Sequence, residues 1–241
     1  KSPIIAIGSG TLNDIVKLAA EYMGVQYGVV ATAASMDGYA SEGASIIKDN
    51  IKETMKCNAP VFVLADLDTI KNSPDEMISS GYTDFIAKIP AGIDWVLADS
   101  LEEEKLDPIS WNIVHKNISK KIEISNKLII REEESIKTLF SCLIDAGIAM
   151  QYLKSTRPAS GAEHLFSHVI EMENINNSGF KYSHGHKVGV GTIISLTFYE
   201  FLLNFKKSNW NPYMGMRNWK SFEEKERSIY KLFGNRKSKM Y

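Results

Sequence analysis

The sequence has little of what marks secreted, membrane-spanning or nucleic-acid-binding proteins. Its two cysteines, Cys57 and Cys142, are far apart and lack CxxC spacing, so they predict neither a disulfide framework nor a thiolate metal site. No apolar run reaches about 18 residues and no signal-peptide pattern opens the chain, so we expect no membrane insertion. Because 28 basic residues nearly balance 29 acidic ones, no charge bias indicates a nucleic-acid partner. We therefore expect a cytoplasmic protein in a reducing setting.

The sequence does contain a regular hydrophobic pattern. Of its 241 residues 44% are hydrophobic, which is enough for one large core or two smaller ones. Apolar runs at residues 4–7, 25–31 and 60–65 predict strands, separated by helical or loop segments. Beyond Gly81 the patterns become helical, at residues 84–98, 111–130, 132–153, 163–172 and 188–205. This order predicts a partial Rossmann-like parallel sheet at residues 1–80 and a helical domain at residues 81–241, that is, an α/β portion followed by an all-α portion.

Two loops that follow predicted strands have compositions typical of ligand contact. A glycine-rich turn at residues 8–11 leads from the first strand into a helix, an arrangement in which backbone N–H groups can hold a phosphate. It has neither the full GxGxxG pattern nor a GKS/T ending, so an ordinary strand-to-helix turn remains an alternative. Small residues at positions 32–35 precede Asp37 after the second strand, and either a ligand lying on the backbone or a simple turn explains them.

Four of the five histidines lie between residues 155 and 191. His164 and His168 are four residues apart, so they share one face of a helix. Ser160 and Glu163 form a capping-box pattern, which would start that helix just before His164. The pair is consistent with a metal site, but ordinary polar residues of an amphipathic helix would show the same spacing.

A second segment returns two more histidines, His184 and His186, after a polar turn-like stretch at residues 174–179. Imidazole together with carboxylate commonly binds zinc and its neighbours in the first transition row. Asp84 is a candidate for the carboxylate, although an acidic residue in the first turn of its predicted helix could simply complement the helix dipole. Pro90 should kink or break that helix.

Five motifs occur in an order that resembles a known family, and they read GSGTLND, TAASMDGYAS, GYTDFIAK, STRPASGAEHLFSH and SHGHKVGVGT. In this order they closely resemble the glycerol-1-phosphate dehydrogenases, within the superfamily of dehydroquinate synthases and metal-dependent alcohol dehydrogenases. The resemblance covers about residues 4–205. It implies an NAD(P)-dependent, metal-dependent dehydrogenase that interconverts sn-glycerol 1-phosphate and dihydroxyacetone phosphate. It also implies a homo-oligomer that acts on a small phosphorylated polyol.

The resemblance implies roles for individual residues. By motif match, Asp84, His164 and His184 would bind a divalent metal. Zinc is the expected metal, and nickel and iron are alternatives because the same ligands suit all three. Asp37 and His168 would contact the substrate. The residues implied to line the site of NAD or NADP are Gly8, Ser9, Gly10, Thr11, Leu12, Thr32, Ala33, Ala34, Ser35 and Ser41. His186 would lie beside the metal ligands without being one. The basic residues nearest to the site motifs, and thus candidates for the substrate phosphate, are Lys88, Arg157 and Lys187.

Members of this family carry further strand–helix units before the glycine-rich turn and further helices at the end. The resemblance therefore implies that the nucleotide-binding portion is N-terminally incomplete here.

Other functions remain open at this point. They are a glycerol dehydrogenase without phosphate recognition, a cyclising lyase like dehydroquinate synthase that regenerates its NAD, and an inactive metal-binding fragment.

Overall fold

The computed structural model describes residues 2–48, 51–172, 182–206, 211–217 and 219–233. Its strands are β1 (Ile4–Gly8), β2 (Tyr27–Ala31), β3 (Ala44–Lys48), β4 (Ile51–Met55) and β5 (Val63–Ala65). The earlier helices are α1 (Gly10–Met23), α2 (Leu67–Lys71), α3 (Asp75–Ile86), α4 (Lys88–Ser100), α5 (Pro108–His115), α6 (Ile118–Ile122) and α7 (Ser125–Ile129). The later helices are α8 (Glu133–Leu153), α9 (Ala162–Met172), α10 (His184–Asn204), α11 (Pro212–Arg217) and α12 (Phe222–Phe233). The predicted class, a small α/β portion followed by helices, is confirmed.

A three-stranded parallel sheet, in the order β1-β2-β5, forms the N-terminal part. The central strand β2 is almost wholly buried, and its Val29 pairs with Ala6 on one side and Val63 on the other. A parallel strand that is covered on both faces has a nearly continuous apolar sequence, which is why residues 25–31 predicted it. All three predicted strands are therefore confirmed, the second and third with shorter bounds.

The antiparallel pair of β3 and β4 differs from the expectation of helical or loop segments between the strands of the sheet. The two strands lie between β2 and β5 in sequence, yet they pair only with each other among the described strands. Neither has a clean apolar–polar alternation, since β3 places Ile46 beside Ile47 and β4 places Lys52 beside Glu53. The usual period of two is therefore too weak to predict them.

The helix predicted after the glycine-rich turn is confirmed as α1, but its large apolar side chains do not all lie on its buried face. Leu12 and Ile15 are 42% and 53% exposed, whereas Asn13, Lys17 and Ala20 are buried. A buried ammonium group needs hydrogen-bond acceptors to offset its loss of hydration. Lys17 has them in three backbone carbonyl groups.

The segment around Pro90 forms two helices where the sequence predicted one. Helix α3 ends at Ile86 and α4 begins at Lys88, which places Pro90 at the third residue of α4. The first N–H groups of a helix have no partner within it, so a proline there removes no hydrogen bond. Asp84 consequently lies in the last turn of α3, and its predicted position in a first turn is wrong.

The predicted domain boundary at residues 80 and 81 falls inside α3, so the division into two domains stays a prediction.

The region predicted as one helix over residues 111–130 contains the three short helices α5, α6 and α7. Helix α5 starts at Pro108, where the Asp107 carboxylate accepts a hydrogen bond from the Ser110 N–H at 2.7 Å. Asn117 then adopts a left-handed conformation, with φ of 61°, which ends the helical path. The predicted continuous helix is therefore wrong.

Helix α8 joins the sheet to the helices. Its residues Ile136, Leu139 and Leu143 are fully buried in a cluster that also contains Val29 of β2 and Phe85 of α3. In the part of the chain that the structure describes, α8 is the one helix long and apolar enough to cross a membrane, although half of its most apolar window is buried. The core helix of a folded protein meets the same criteria, and the contacts of α8 fit that explanation.

His115, at the end of α5, makes the stability of the fold depend on pH. Its ring stacks on Trp111 with centroids 4.0 Å apart and lies against Gly92 of α4. Burial, and to a smaller extent the charge of Lys88, lowers the pKa of His115 to about 4. An unfolded histidine has a pKa of about 6.5. Because the unfolded chain takes up the proton first, the free energy of unfolding should fall as the pH drops from about 6.5 to about 4.

The substitution His115→Phe keeps an aromatic ring on Trp111 but cannot take up a proton. We expect the variant to lose about 2 kcal/mol less free energy of unfolding on acidification than the unsubstituted protein, a value that allows for the partial exposure of the ring. Urea unfolding of both proteins at pH about 7 and about 4.5 measures the difference. Equal losses of stability on acidification in the two proteins would show that His115 does not carry the effect.

Candidate metal and cofactor site

Two aspartates and a lysine form the charged centre of the candidate site. Asp84 of α3 is fully buried, Lys88 of α4 is 1% exposed, and Asp37 lies in the loop after β2. The Lys88 Nζ donates to Asp37 Oδ2 at 2.5 Å and to Asp84 Oδ1 at 3.1 Å. The backbone N–H of Asp37 donates to Asp84 Oδ2 at 3.0 Å. The loop after β2 and the junction of α3 and α4 are thus tied together through one buried carboxylate.

Neighbouring charges keep this centre ionised in spite of its burial. Burial by itself would raise the pKa of Asp84, but the charge of Lys88 and the neighbouring imidazole of His164 outweigh it, and the pKa lies well below its usual range. Burial would likewise lower the pKa of Lys88, but Asp37 and Asp84 raise it above its ordinary value. A buried carboxylate that stays ionised is a suitable ligand for a cation.

His164 reaches Asp84 from the first turn of α9. Its Nε2 lies 3.6 Å from Asp84 Oδ1, and its Nδ1 lies 2.7 Å from Glu163 Oε1. Burial disfavours its protonated form, but the neighbouring carboxylates of Asp84 and Glu163 prevail and raise the pKa of His164. The start of α9 is fixed from another helix, because Asp94 Oδ2 of α4 accepts a hydrogen bond from the Ala162 N–H at 2.7 Å. The predicted start just before His164 is confirmed.

His184 is the first residue of α10, a helix that begins earlier than the predicted residue 188. The Ser183 hydroxyl caps it by accepting from the His186 N–H at 3.3 Å. The His184 ring centroid is 5.6 Å from that of His164, and its Nδ1 lies 3.2 Å from Glu171 Oε1. The polar stretch predicted at residues 174–179 lies outside the described residues.

The three predicted metal ligands therefore lie in one region, on α3, α9 and α10. Donor atoms of Asp37, Asp84 and His164 all lie within 4.8 Å of one another, and His184 adjoins them through its contact with His164. Asp37, for which the resemblance implies substrate contact, is thus also close enough to compete with His184 for the role of ligand. The assignment of ligands stays a prediction.

The other two histidines of the region occupy different positions. His168 lies one turn beyond His164 in α9 and is half-buried. His186 has its ring nitrogens at 3.0 Å from Ser183 Oγ and 2.8 Å from Ser79 Oγ. The expected place of His186 beside the metal ligands stays a prediction.

The three basic candidates for the substrate phosphate all have acidic partners. Lys88 is committed to the two aspartates, as described above. Arg157 Nε lies 2.9 Å from Glu104 Oε2, and Lys187 Nζ lies 3.8 Å from Glu171 Oε1. The ion pair of Lys88 was detectable in the sequence, because it follows Asp84 by four residues across the junction of two helices.

Two glycines allow the backbones that carry the predicted ligands to approach closely. A Cβ at Gly81 would lie 1.8 Å from the Ala34 carbonyl oxygen, and a Cβ at Gly185 would lie 2.0 Å from the Ser80 carbonyl oxygen. No side chain is accommodated at such distances without a shift of the backbone. Helix α3 can therefore contact both the loop after β2 and the start of α10, which brings Asp84 near His184.

The two predicted cofactor loops lie side by side. The Thr32 N–H donates to the Gly8 carbonyl oxygen at 3.1 Å, so both loops follow the carboxyl ends of neighbouring parallel strands. In open α/β sheets this is the edge at which ligands bind. Ala33 and Ala34 are fully buried and support the loop from within, which leaves their neighbours Thr32 and Ser35 partly accessible.

Lys17 of α1 holds the loop that carries Asp37. Its Nζ donates to the carbonyl oxygens of Gly38, Ser41 and Gly43 at 3.0, 2.8 and 3.0 Å. The Ser41 side chain is buried, and its hydroxyl donates to the Gly38 carbonyl oxygen at 3.1 Å. Sequence reasoning missed Lys17, because a lysine in an amphipathic helix is normally exposed and its acceptors lie more than 20 residues away.

Comparison with known proteins finds similar sequences. A family described as iron-containing alcohol dehydrogenase matches residues 2–74. A glycerol-1-phosphate dehydrogenase (NAD(P)+) of Pyrococcus horikoshii is 38% identical over 205 residues, covering 84% of this chain and 57% of the relative. The enzyme of the same name from Bacillus subtilis is 36% identical over 199 residues, covering 83% of this chain and 50% of the relative. The chain thus spans about half the length of the curated relatives that it matches.

Solved structures show the same fold. Glycerol dehydrogenase from Schizosaccharomyces pombe has a TM-score of 0.68 at 18% identity, covering 83% of this chain and 52% of that one. A 2-deoxy-scyllo-inosose synthase has a TM-score of 0.52 at 16% identity, covering 79% of this chain and 50% of that one. At such identities the likeness concerns the fold alone. The chain is thus similar in sequence to the glycerol-1-phosphate dehydrogenases and shares the fold of these two solved enzymes.

Proposed function

We propose that this protein is an NAD(P)-dependent and metal-dependent dehydrogenase that interconverts sn-glycerol 1-phosphate and dihydroxyacetone phosphate. The observation that carries the proposal is that Asp84 lies beside His164, and His164 beside His184, next to the loop that follows β2. The name shared by the relatives at 32% to 38% identity supports the choice of substrate. A small phosphorylated polyol is therefore the expected ligand.

A divalent metal would be held by Asp84, His164 and His184. One carboxylate and two imidazoles suit zinc, nickel or iron, and the low pKa of Asp84 supplies an anionic oxygen at neutral pH. When bound, such a metal supplies a Lewis acid that polarises the substrate oxygen at the reacting carbon. The Asp37 carboxylate and Lys88 adjoin these ligands and set the charge around them.

NAD or NADP would lie along residues 8–12 and 32–35, with Ser41 holding the second loop in shape. Helix α1 has 14 residues, and in the described structure the Ser9 side chain does not cap it, so its first N–H groups are available to an anion such as a diphosphate. The cofactor supplies the hydride chemistry when bound. The chain orients the cofactor, since the hydrogen bond from the Thr32 N–H to the Gly8 carbonyl oxygen holds the two loops next to each other.

We assign the substrate to Asp37 and His168. The Asp37 carboxylate is held in one position by Lys88, and it can accept a hydrogen bond from a polyol hydroxyl group. His168 lies one helical turn from His164, at a distance along α9 that suits a residue that orients the substrate or moves a proton at its ring nitrogen. Asp37 and His168 would therefore contact the same substrate molecule, next to the residues that hold the metal.

Turnover with defined substrates tests the proposal. Purified protein loaded separately with zinc, nickel or iron should oxidise NADH or NADPH in the presence of dihydroxyacetone phosphate. It should reduce NAD or NADP with sn-glycerol 1-phosphate. Oxidation of glycerol with no activity on the phosphate would identify a glycerol dehydrogenase instead. Phosphate release without net formation of NADH would indicate a cyclising lyase, and metal binding without cofactor binding would overturn the proposal.

The organisation of the protein is part of the same proposal. We assign nucleotide binding to residues 1–80 and metal and substrate binding to residues 81–241, in a cytoplasmic homo-oligomer. Light scattering of the purified protein measures its mass in solution, and the mass of a monomer would contradict the oligomer.

A further inference from the structure

Helix α9 brings a glutamate to each of the two histidines of the site. Glu163 Oε1 lies 2.7 Å from Nδ1 of His164, and Glu171 Oε1 lies 3.2 Å from Nδ1 of His184. The glutamates are eight residues apart, so they lie on similar faces of the helix. Each ring is therefore approached by a carboxylate on the same one of its two nitrogens.

Both carboxylates are removed from solvent. Glu163 is fully buried and the Glu171 side chain is 9% exposed. The position of Glu163 is fixed independently of the ring, because its Oε1 also accepts a hydrogen bond from the Gly161 N–H at 2.6 Å. Gly191 of α10 contributes as well, since a Cβ there would lie 2.2 Å from the Glu163 carbonyl oxygen. The close approach of α9 and α10 at this point holds Glu163 in place.

The chemistry of imidazole converts these contacts into a choice of tautomer. A neutral histidine has one ring nitrogen that donates and one that accepts, and a carboxylate only accepts. Nδ1 of each ring must therefore carry the hydrogen, which leaves the lone pair on Nε2. For His164, Asp84 lies 3.6 Å from Nε2, beyond hydrogen-bond distance, so Glu163 at 2.7 Å from Nδ1 decides the tautomer of the neutral ring. Carboxylates behind metal-binding histidines orient the ring and make the ligand more basic.

We propose that Glu163 and Glu171 are positioning residues that hold His164 and His184 through Nδ1, so that Nε2 of both rings is left to bind the metal. The inference rests on the proposed metal-dependent function of this site. Neither glutamate was among the residues that the sequence predicted for the site. A different role, in which Glu163 only stabilises the start of α9 through the Gly161 N–H, makes other predictions for the same variants.

Glu163→Gln and Glu171→Gln test the inference, because glutamine keeps the size of the side chain and removes its charge. We expect each to weaken zinc binding about 10-fold to 100-fold in competition with a chelator. Glu76→Gln is the matched control, since this exposed glutamate of α3 is remote in sequence from both rings, and it should bind zinc as the unsubstituted protein does. A purely structural role for Glu163 would instead lower the free energy of unfolding and leave zinc affinity unchanged.

Long-range 1H–15N NMR spectra of the metal-free protein provide a second measurement, at alkaline pH where the rings are neutral. Both rings should carry hydrogen on Nδ1, and each Gln variant should shift its own ring towards a mixture of tautomers. Hydrogen on Nε2 in the unsubstituted protein, or zinc affinity unchanged in both Gln variants, would overturn the inference. Zinc binding with the expected losses but without turnover of dihydroxyacetone phosphate would overturn the proposed function alone.

Discussion

Replacing Asp84 with alanine should abolish the retention of metal by the purified protein. Asp84 is the fully buried carboxylate beside both Lys88 and His164, so alanine removes the anionic oxygen proposed to bind the metal. Metal analysis after gel filtration should find stoichiometric metal in the unsubstituted protein and almost none in the variant. The substitution also leaves Lys88 with one carboxylate partner, which should lower the free energy of unfolding by about 3 kcal/mol.

Three further substitutions make this result specific. Asp75→Ala removes an exposed acidic residue from the same helix and should leave the metal content unchanged. Asp37→Ala should retain the metal and lose turnover if Asp37 contacts the substrate. Loss of metal from the Asp37 variant and its retention in His184→Ala would mean that the ligands are Asp37, Asp84 and His164, the group whose donor atoms lie closest together. Full metal content in the Asp84 variant would remove Asp84 from the site.

A single methyl group at position 81 should strongly destabilise the protein. In Gly81→Ala the new Cβ would lie 1.8 Å from the Ala34 carbonyl oxygen, and this obstacle is backbone that cannot rotate away. Overpacking of a core costs about 1–3 kcal/mol, and a forced shift of α3 should bring the cost to the upper end or beyond. Because α3 carries Asp84, metal affinity should fall as well.

Gly10→Ala is the matched control for this prediction. Its Cβ would meet the Met36 side chain at 3.0 Å, and a flexible thioether can move aside. Urea unfolding should therefore find the Gly10 variant close to the unsubstituted protein and the Gly81 variant well below it. Equal stabilities for all three proteins would mean that α3 and the loop after β2 are not held in contact through Gly81.

The motifs marked residues that lie near one another, whereas periodicity misplaced some of the helices that carry them. Asp84 lies 3.6 Å from His164, and the His184 ring packs beside that of His164, but Asp84 lies in the last turn of its helix and not in the first. The error arose because the first residues of α3 are mostly polar and show no apolar period, so the pattern became visible only near its end. The ligands depend on close contacts between helices, which short motifs preserve even when the bounds of the helices are missed.

Contacts between distant parts of the chain account for most of what the sequence could not show. Nothing local to Lys17 indicates that three carbonyl groups more than 20 residues away accept its hydrogen bonds. Glu163 was recognised only as a possible helix cap, because its hydrogen bond to the adjacent imidazole depends on how α9 packs on α10. The predicted strands succeeded for the opposite reason, since a buried central strand leaves a continuous apolar run in the sequence itself.

The ammonium group of Lys88 forms ion pairs with the two carboxylates of the site, so part of their charge is compensated within the chain. Small zinc modules fold only when the ion arrives, because their ligands would otherwise repel one another or remain solvated. Here the charge of Asp84 is compensated as soon as α3 and α4 come together. Folding and metal loading can consequently be separate events, the first directed by the polypeptide and the second by the supply of metal in the cell.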